Sequence, residues 1–121
     1  MEGSNDRLLA TGTVASQGTA EGVLTPAMSV AEVLKLMSED VGEAILWVEH
    51  ASVTSVVPIL PRVRGVVCEG GGLTSHLAIV SRQFGLPCVV AADFSVPPEE
   101  AKGRRVEILE DGRIVFAENG A

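Results

Sequence analysis

The segment from residue 64 to residue 92 constrains the fold most, because two short apolar runs flank a helical pattern. The runs RGVVCE, residues 64–69, and PCVVAA, residues 87–92, have the length and composition of buried strands. Between them, three consecutive glycines lead into a pattern that predicts a helix from Ser75 to Phe84. A strand, a helix and a strand in this order predict a parallel pair joined by a helical crossover.

The rest of the chain adds strands at both ends. The pattern predicts strands at 8–15 and 44–49, loops at 16–22 and 93–103, a short extended piece at 23–27, a helix at 30–37, and a short helix or proline-broken turn at 52–63. Asp111-Gly112 lies between two alternating runs and predicts a closing hairpin. The fold class is therefore α/β, with a mixed sheet or two sheets with helices on one side, a central β-loop-helix-β unit and a closing β-hairpin. We expect one domain at residues 8–118, between solvated tails at 1–7 and 119–121.

The charge balance argues against several partners. Nine basic and sixteen acidic residues give a net charge of −7, with no basic stripe, which disfavours nucleic acid and anionic membrane surfaces. No apolar stretch reaches the roughly 18 residues of a membrane span. The N-terminus does not resemble a secretory signal, so the expected location is cytoplasmic.

Both cysteines lie beside valines in apolar runs. Cys68 and Cys88 are therefore predicted to be small buried hydrophobic residues of a reducing compartment. A disulfide or a metal pair is the alternative, although no CxxC or HxxxH spacing supports a metal.

The glycine run ends at a histidine that the pattern places in the first turn of a helix. Thr74 or Ser75 is a suitable N-cap, and the unpaired N–H groups of a first turn attract anions. Gly71 and Gly72 leave room for a close approach. The positive end of the helix dipole disfavours an imidazolium, so a neutral, nucleophilic imidazole is expected at His76.

The same helix should bury Leu77, Val80 and Phe84 on one face, widened by Ala78 and Ile79. Gly85 is expected to end it in the left-handed conformation, with Leu86 packing back toward Val80.

The spacing alone leaves a plainer interpretation open, in which the loop is a tight strand-to-helix turn and His76 is a polar residue near a cap. The sequence matches neither the dinucleotide fingerprint nor the Walker loop. His50 is interpreted as a polar residue at a strand end, with a catalytic role as the alternative.

The run GGLTSHLAIVSRQFGLPCVV resembles the signature of the phosphohistidine, or mobile, domain of phosphoenolpyruvate-utilising enzymes. That family includes pyruvate phosphate dikinase, phosphoenolpyruvate synthase and enzyme I of the sugar phosphotransferase system. The matching positions are Gly71, Gly72, Thr74, Ser75, His76, Ala78, Ile79, Arg82, Gly85, Leu86, Pro87, Val89 and Val90. Weaker likeness extends over roughly residues 8–117. Departures include Ser81, where the family has alanine, and Ala91, where it usually has glycine.

The resemblance implies a swivelling β/β/α domain in which His76 carries a phosphoryl group. Gly71, Gly72, Thr74 and Ser75 would bind the phosphate, Arg82 would orient the loop or contact a partner, and Thr74 is a candidate for regulatory modification. The implied partners are a barrel that binds phosphoenolpyruvate or pyruvate and, in dikinase-like members, an ATP-grasp domain or subunit.

The chain alone would not be a complete enzyme but the phosphohistidine part of a phosphotransferase. It is expected to bind no metal or cofactor itself, and Mg²⁺ is expected in the partner domains. The alternative is a non-catalytic binding or regulatory module that keeps the fold, with an exposed arginine at position 82.

Overall fold

The computed structural model describes residues 8–49, 56–70 and 76–117. The strands are β1 (Leu8–Ser16), β2 (Ala20–Pro26), β3 (Ala44–Val48), β4 (Gly65–Cys68), β5 (Cys88–Phe94), β6 (Arg105–Ile108) and β7 (Arg113–Phe116). The helices are α1 (Val30–Met37), a 3₁₀ helix (Val57–Arg62), α2 (His76–Phe84) and a short α3 (Pro98–Ala101).

The strands form one closed barrel in the order β1-β5-β4-β3-β2-β6-β7, with β7 pairing back to β1. The pairs β2-β3, β3-β4 and β4-β5 are parallel. The pairs β1-β5, β1-β7, β2-β6 and β6-β7 are antiparallel. The mixed pairing, the β4-α2-β5 crossover and the closing hairpin are confirmed. Closure was not predicted: it arises because β1 pairs with β5 on one side and with β7 on the other.

Two apolar layers contain most of the buried hydrophobic residues. All seven strands contribute to the layer that fills the barrel, which includes Leu9, Leu24, Ile45, Trp47, Val67, Val89, Val106, Ile108, Ile114 and Phe116. A second layer lies between the outer face of β3, β4 and β5 and the helices, and includes Val33, Leu46, Leu60, Val66 and Leu77. Because β3 and β4 are buried on both faces, their runs are continuously apolar rather than alternating.

In the sequence, Ser29 with Glu32 three residues later is the pattern of a helix N-terminus, and helix α1 begins there, at Val30. The Ser29 side chain accepts a hydrogen bond from the Glu32 backbone N–H at 3.1 Å. The Glu32 carboxylate accepts from the Met28 N–H at 2.8 Å, one residue before the position that a capping box would use. The bond to Ser29 satisfies a first-turn N–H that the helix itself leaves unpaired, and the bond from Met28 ties the preceding residue to the same turn.

Three loop predictions were partly wrong. The first loop is only residues 17–19, because β1 extends to Ser16 and β2 begins at Ala20. Pro58 and Pro61 lie inside the 3₁₀ helix rather than breaking it, since Pro58 falls at the helix start. The loop after β5 contains α3, whose Ala101 is buried in the barrel layer.

The closing hairpin turns over Leu109–Gly112, with the Gly112 N–H donating to the Leu109 carbonyl at 3.1 Å. Asp111-Gly112 thus forms the second half of a four-residue turn rather than a two-residue loop. Within the described part of the chain, no helix has the length and apolar character needed to span a bilayer.

Candidate functional site

Helix α2 is described from His76, within the helix predicted from Ser75 to Phe84, and the side chain of His76 is exposed. The next two residues, Leu77 and Ala78, are fully buried against the outer face of the sheet. Because neighbouring residues on a helix point in different directions, seating these two residues inward leaves His76 facing solvent. A solvent-facing imidazole at a helix start is accessible to another domain or chain.

The C-terminal end of α2 follows the prediction. Gly85 has a φ of +66°. The Gly85 N–H donates to the Arg82 carbonyl at 3.2 Å, and the Leu86 N–H donates to the Ser81 carbonyl at 2.9 Å. These two bonds form a Schellman motif, and Leu86 is buried in the same layer as Val80.

The predicted apolar face of α2 was wrong at two positions. Ile79 is 42% exposed and Phe84 is 50% exposed. The helix packs on the sheet through Leu77, Ala78, Val80 and Ser81. Ile79 therefore lies on the side of the helix that faces away from the sheet. Ile79 follows His76 by three residues and therefore shares its exposed face.

Four predicted site residues, Gly71, Gly72, Thr74 and Ser75, lie outside the described residues, as does His50. The phosphate-binding role of the first four and the regulatory role of Thr74 therefore stay predictions. The structure does describe both ends of this segment, Gly70 and His76.

Arg82 joins α2 to the barrel. Its Nη1 donates to the backbone carbonyl of Ala15, near the end of β1, at 2.9 Å. This bond holds α2 in place on the sheet. That Arg82 contacts a partner stays a prediction.

Cys68 and Cys88 are free and buried, as predicted. Burial raises the pKa of Cys88 to about 11, and the nearby Ser81 hydroxyl only partly opposes this effect. Burial also raises the pKa of Cys68, and the Gly70 backbone N–H, which donates to its sulfur, offsets part of the rise. Both thiols therefore stay protonated near neutral pH, which makes them poor nucleophiles.

Ser81 is fully buried, and its hydroxyl has no well-formed hydrogen bond among the described residues.

Residues 8–49, 56–70 and 76–117 bring together no group of three histidine, cysteine or acidic side chains that could hold a metal ion.

Sequence reasoning missed one contact just before the glycine segment, the run of residues 70–72. The indole N–H of Trp47, at the end of β3, donates to the Glu69 carboxylate, just after β4. The sequence pattern indicates only that Trp47 is a core residue of a strand. No local pattern links it to Glu69, 22 positions later.

Ala91 occupies a left-handed conformation, with a φ of +52°. It lies in a bulge of β5, where Ala91 and Ala92 stand opposite the single residue Gly12 of β1. The Ala91 N–H donates to the Gly70 carbonyl at 3.0 Å, so the unusual backbone supports the start of the glycine segment.

We expect Ala91→Gly to stabilise the protein. The left-handed conformation costs alanine roughly 1–2 kcal/mol, whereas glycine adds about 0.5–1 kcal/mol of unfolded-state entropy. The net gain should be about 0.5–1 kcal/mol in the free energy of unfolding, measured by denaturant titration.

Ala31→Gly is the matched control, since Ala31 is exposed within α1 and the same change should cost about 1 kcal/mol there. Equal losses of stability in the two variants would contradict the strained conformation at Ala91.

The fold and the position of His76 define a class: small α/β barrel domains that carry an exposed histidine at the start of a helix packed on the sheet. The chain belongs to the family described as "PEP-utilising enzyme, mobile domain", whose sequence model matches residues 41–116, more than half of the chain. PEP here denotes phosphoenolpyruvate.

Two relatives illustrate the family. A probable phosphoenolpyruvate synthase of Methanothermobacter thermautotrophicus is 30% identical over 108 residues, which cover 89% of this chain and 14% of the relative. A pyruvate kinase of Sporosarcina psychrophila is 37% identical over 86 residues, which cover 71% of this chain and 14% of the kinase. The chain thus spans about one seventh of the length of each of these proteins.

Among solved structures, the holo-form of Thermococcus kodakaraensis aconitase X contains a chain of the same fold. The TM-score is 0.63 at 13% identity, and the match covers 90% of this chain and 98% of that one. The likeness concerns the fold alone, and it shows that this architecture can make up nearly a whole chain.

Proposed function

We propose that the chain is a phosphohistidine carrier that moves a phosphoryl group between sites on partner domains. The observation that carries the proposal is the exposed His76, which begins α2 directly after a glycine-rich segment in a mobile domain of PEP-utilising enzymes. The synthase among its relatives is named for phosphoenolpyruvate. The finer features of a swivelling domain, including its motion between two sites, belong to this proposal.

The proposed chemistry uses the imidazole as a nucleophile. A neutral ring nitrogen attacks the phosphorus of phosphoenolpyruvate, a P–N bond forms, and the bond from phosphorus to the enol oxygen breaks. The leaving enolate takes up a proton and becomes pyruvate. In the reverse direction, or with a second acceptor, the P–N bond breaks and the phosphoryl group leaves the histidine.

The site can stabilise the added charge. The N–H groups in the first turn of α2 point toward the helix start, where the helix dipole favours an anion. Thr74, Ser75 and the two glycines before them are proposed to supply further donors and space. A phosphate on Thr74 itself would place negative charge beside His76 and oppose its phosphorylation.

The partners are proposed to be a barrel that binds phosphoenolpyruvate or pyruvate and an ATP-grasp domain or subunit that uses nucleotide and Mg²⁺. The exposed Ile79, next to His76 on α2, gives such a partner an apolar contact. Free, buried thiols fit a reducing compartment such as the cytoplasm.

The test is transfer of label from phosphoenolpyruvate. The chain is incubated with ³²P-phosphoenolpyruvate and a related phosphoenolpyruvate synthase, and the small chain is separated from the synthase by size. We expect label on the small chain that depends on the synthase, survives alkali and is released by acid, as a phosphoramidate requires.

A synthase that labels its own mobile domain but never this chain would contradict the carrier role. That result would favour a binding or regulatory module that keeps the fold.

A further inference from the structure

Helix α1 leaves part of the outer face of β2 uncovered. Leu36 of the helix packs in the outer layer with Leu46 of β3 and Leu60 of the 3₁₀ helix, so α1 lies over β3. Val23 and Thr25 of β2 are only half-buried beside it. A groove therefore runs between α1 and β2.

Two adjoining clefts make up this groove. Their volumes are about 260 Å³ and about 190 Å³, and Thr25, Leu36 and Glu39 line both of them. Each cleft is smaller than the roughly 300–1,000 Å³ of a typical small-molecule pocket. Each is therefore suited to a single side chain of a longer molecule laid along the groove.

The floor of the groove is apolar. Val23, Leu36 and Val41 line the larger cleft, and Pro26 contributes to the smaller one. The Thr25 hydroxyl donates to the carbonyl of Val23 in its own strand at 3.0 Å. Because this polar atom already has a partner, an apolar side chain seated on the floor leaves it satisfied and is itself removed from water.

The rim of the groove is acidic. The carboxylates that line it are those of Glu32, Glu39, Asp40 and Glu43, and Lys35 is the one basic side chain among the described lining residues. Glu43 is paired with Arg105 at 3.1 Å, so the excess negative charge comes from the other three carboxylates. Arg62 also approaches this end of α1, but it is bound to the main-chain carbonyls of Met37 and Glu39.

Charge and length select the occupant. A second copy of the chain carries the same net charge of −7, whereas a basic segment of a partner protein is complementary to the rim. The eight residues of α1 span about 12 Å along the groove, which is the length of about four residues of extended chain.

We propose that the groove between α1 and β2 binds an extended segment of a partner protein, with two apolar side chains two positions apart and lysine or arginine between and beside them. Alternate side chains of an extended chain lie on one face, about 7 Å apart, so the two apolar ones can enter the adjoining clefts. The long stems of lysine and arginine let their charges reach the rim. This binding does not depend on phosphoryl transfer at His76.

The experiment titrates the ¹⁵N-labelled full chain with the probe peptide acetyl-Arg-Leu-Arg-Leu-Arg amide and follows the ¹H–¹⁵N spectrum. Two matched peptides carry glutamate in place of arginine or serine in place of leucine. Asp40→Asn removes one rim charge but keeps the oxygen that accepts the Gly42 N–H at 3.0 Å. Glu39→Lys reverses a rim charge, and Glu110→Lys makes the same change on the exposed turn of the β6-β7 hairpin.

We expect saturable shifts at the groove with millimolar probe, at the amides of Val23, Thr25, Leu36, Glu39 and Gly42. Asp40→Asn should raise the Kd roughly 3-fold and Glu39→Lys roughly 10-fold, whereas Glu110→Lys should match the wild type. Raising the ionic strength from about 0.05 M to about 0.3 M should weaken binding roughly 3-fold. The serine peptide should bind at least about 10-fold more weakly, and the glutamate peptide should cause no shift.

Four results would overturn the proposal. These are no shift with millimolar probe, shifts located away from the groove, equal binding of the serine or glutamate peptide, and equal Kd values for Glu39→Lys and Glu110→Lys. Shifts of the groove amides on raising the concentration of the chain alone would assign the groove to a second copy and overturn it as well.

Discussion

Replacing His76 with alanine is expected to abolish phosphoryl transfer to the chain while leaving its stability almost unchanged. The imidazole supplies the only atom that would form the bond to phosphorus, so the rate should fall at least about 1,000-fold. His76 is exposed and starts a helix, where alanine is well tolerated, so the free energy of unfolding should change by less than about 0.5 kcal/mol. Label incorporation and denaturant titration measure the two effects.

His50→Ala is the matched control, because the chain has only two histidines. We expect this variant to accept label as the wild type does. Loss of label in His50→Ala together with its retention in His76→Ala would transfer the nucleophile to His50.

Gly22→Ala is expected to cause the largest loss of stability. Gly22 lies in β2, and a Cβ atom built on it would lie 2.2 Å from the carbonyl oxygen of Glu43, far inside van der Waals contact. That same carbonyl accepts the Val23 N–H at 2.8 Å, just before the register between β2 and β3 begins. Backbone atoms cannot rotate away as a side chain can, so the two strands must separate locally.

The expected cost is about 3 kcal/mol in the free energy of unfolding, or a melting temperature lower by about 10 °C. Gly42→Ala is the control, since a Cβ at Gly42 would meet only the flexible Asp40 carboxylate at 3.2 Å. That variant should stay within about 1 kcal/mol of the wild type. A Gly22→Ala protein as stable as Gly42→Ala would disprove the close approach of β2 to β3.

Local sequence signals predicted the elements whose causes are local. Ser29 and Glu32 start α1 through bonds within one turn, and Gly85 ends α2 because glycine readily takes the left-handed conformation. The order of strand, helix and strand between residues 64 and 92 was enough to predict the parallel pair β4-β5.

Features that depend on distant residues could not be predicted in this way. The exposure of Ile79 and Phe84 depends on which side of α2 meets the sheet, and the apolar pattern of the helix covers more than one side. Barrel closure requires β1 to pair with β7 at the other end of the chain. The contact between Trp47 and Glu69 depends on two strand ends meeting, because parallel neighbours place their carboxyl ends at one rim.

The most direct test of the central claim is to locate the phosphoryl group on the chain after transfer from phosphoenolpyruvate. Peptides prepared under alkaline conditions, where a phosphoramidate survives, are sequenced by tandem mass spectrometry, and ³¹P NMR of the intact chain distinguishes a P–N bond from an ester. The account predicts one phosphoryl group per chain, bound to the imidazole of His76. An acid-stable ester on Thr74 or Ser75, with His76 unmodified, would contradict it.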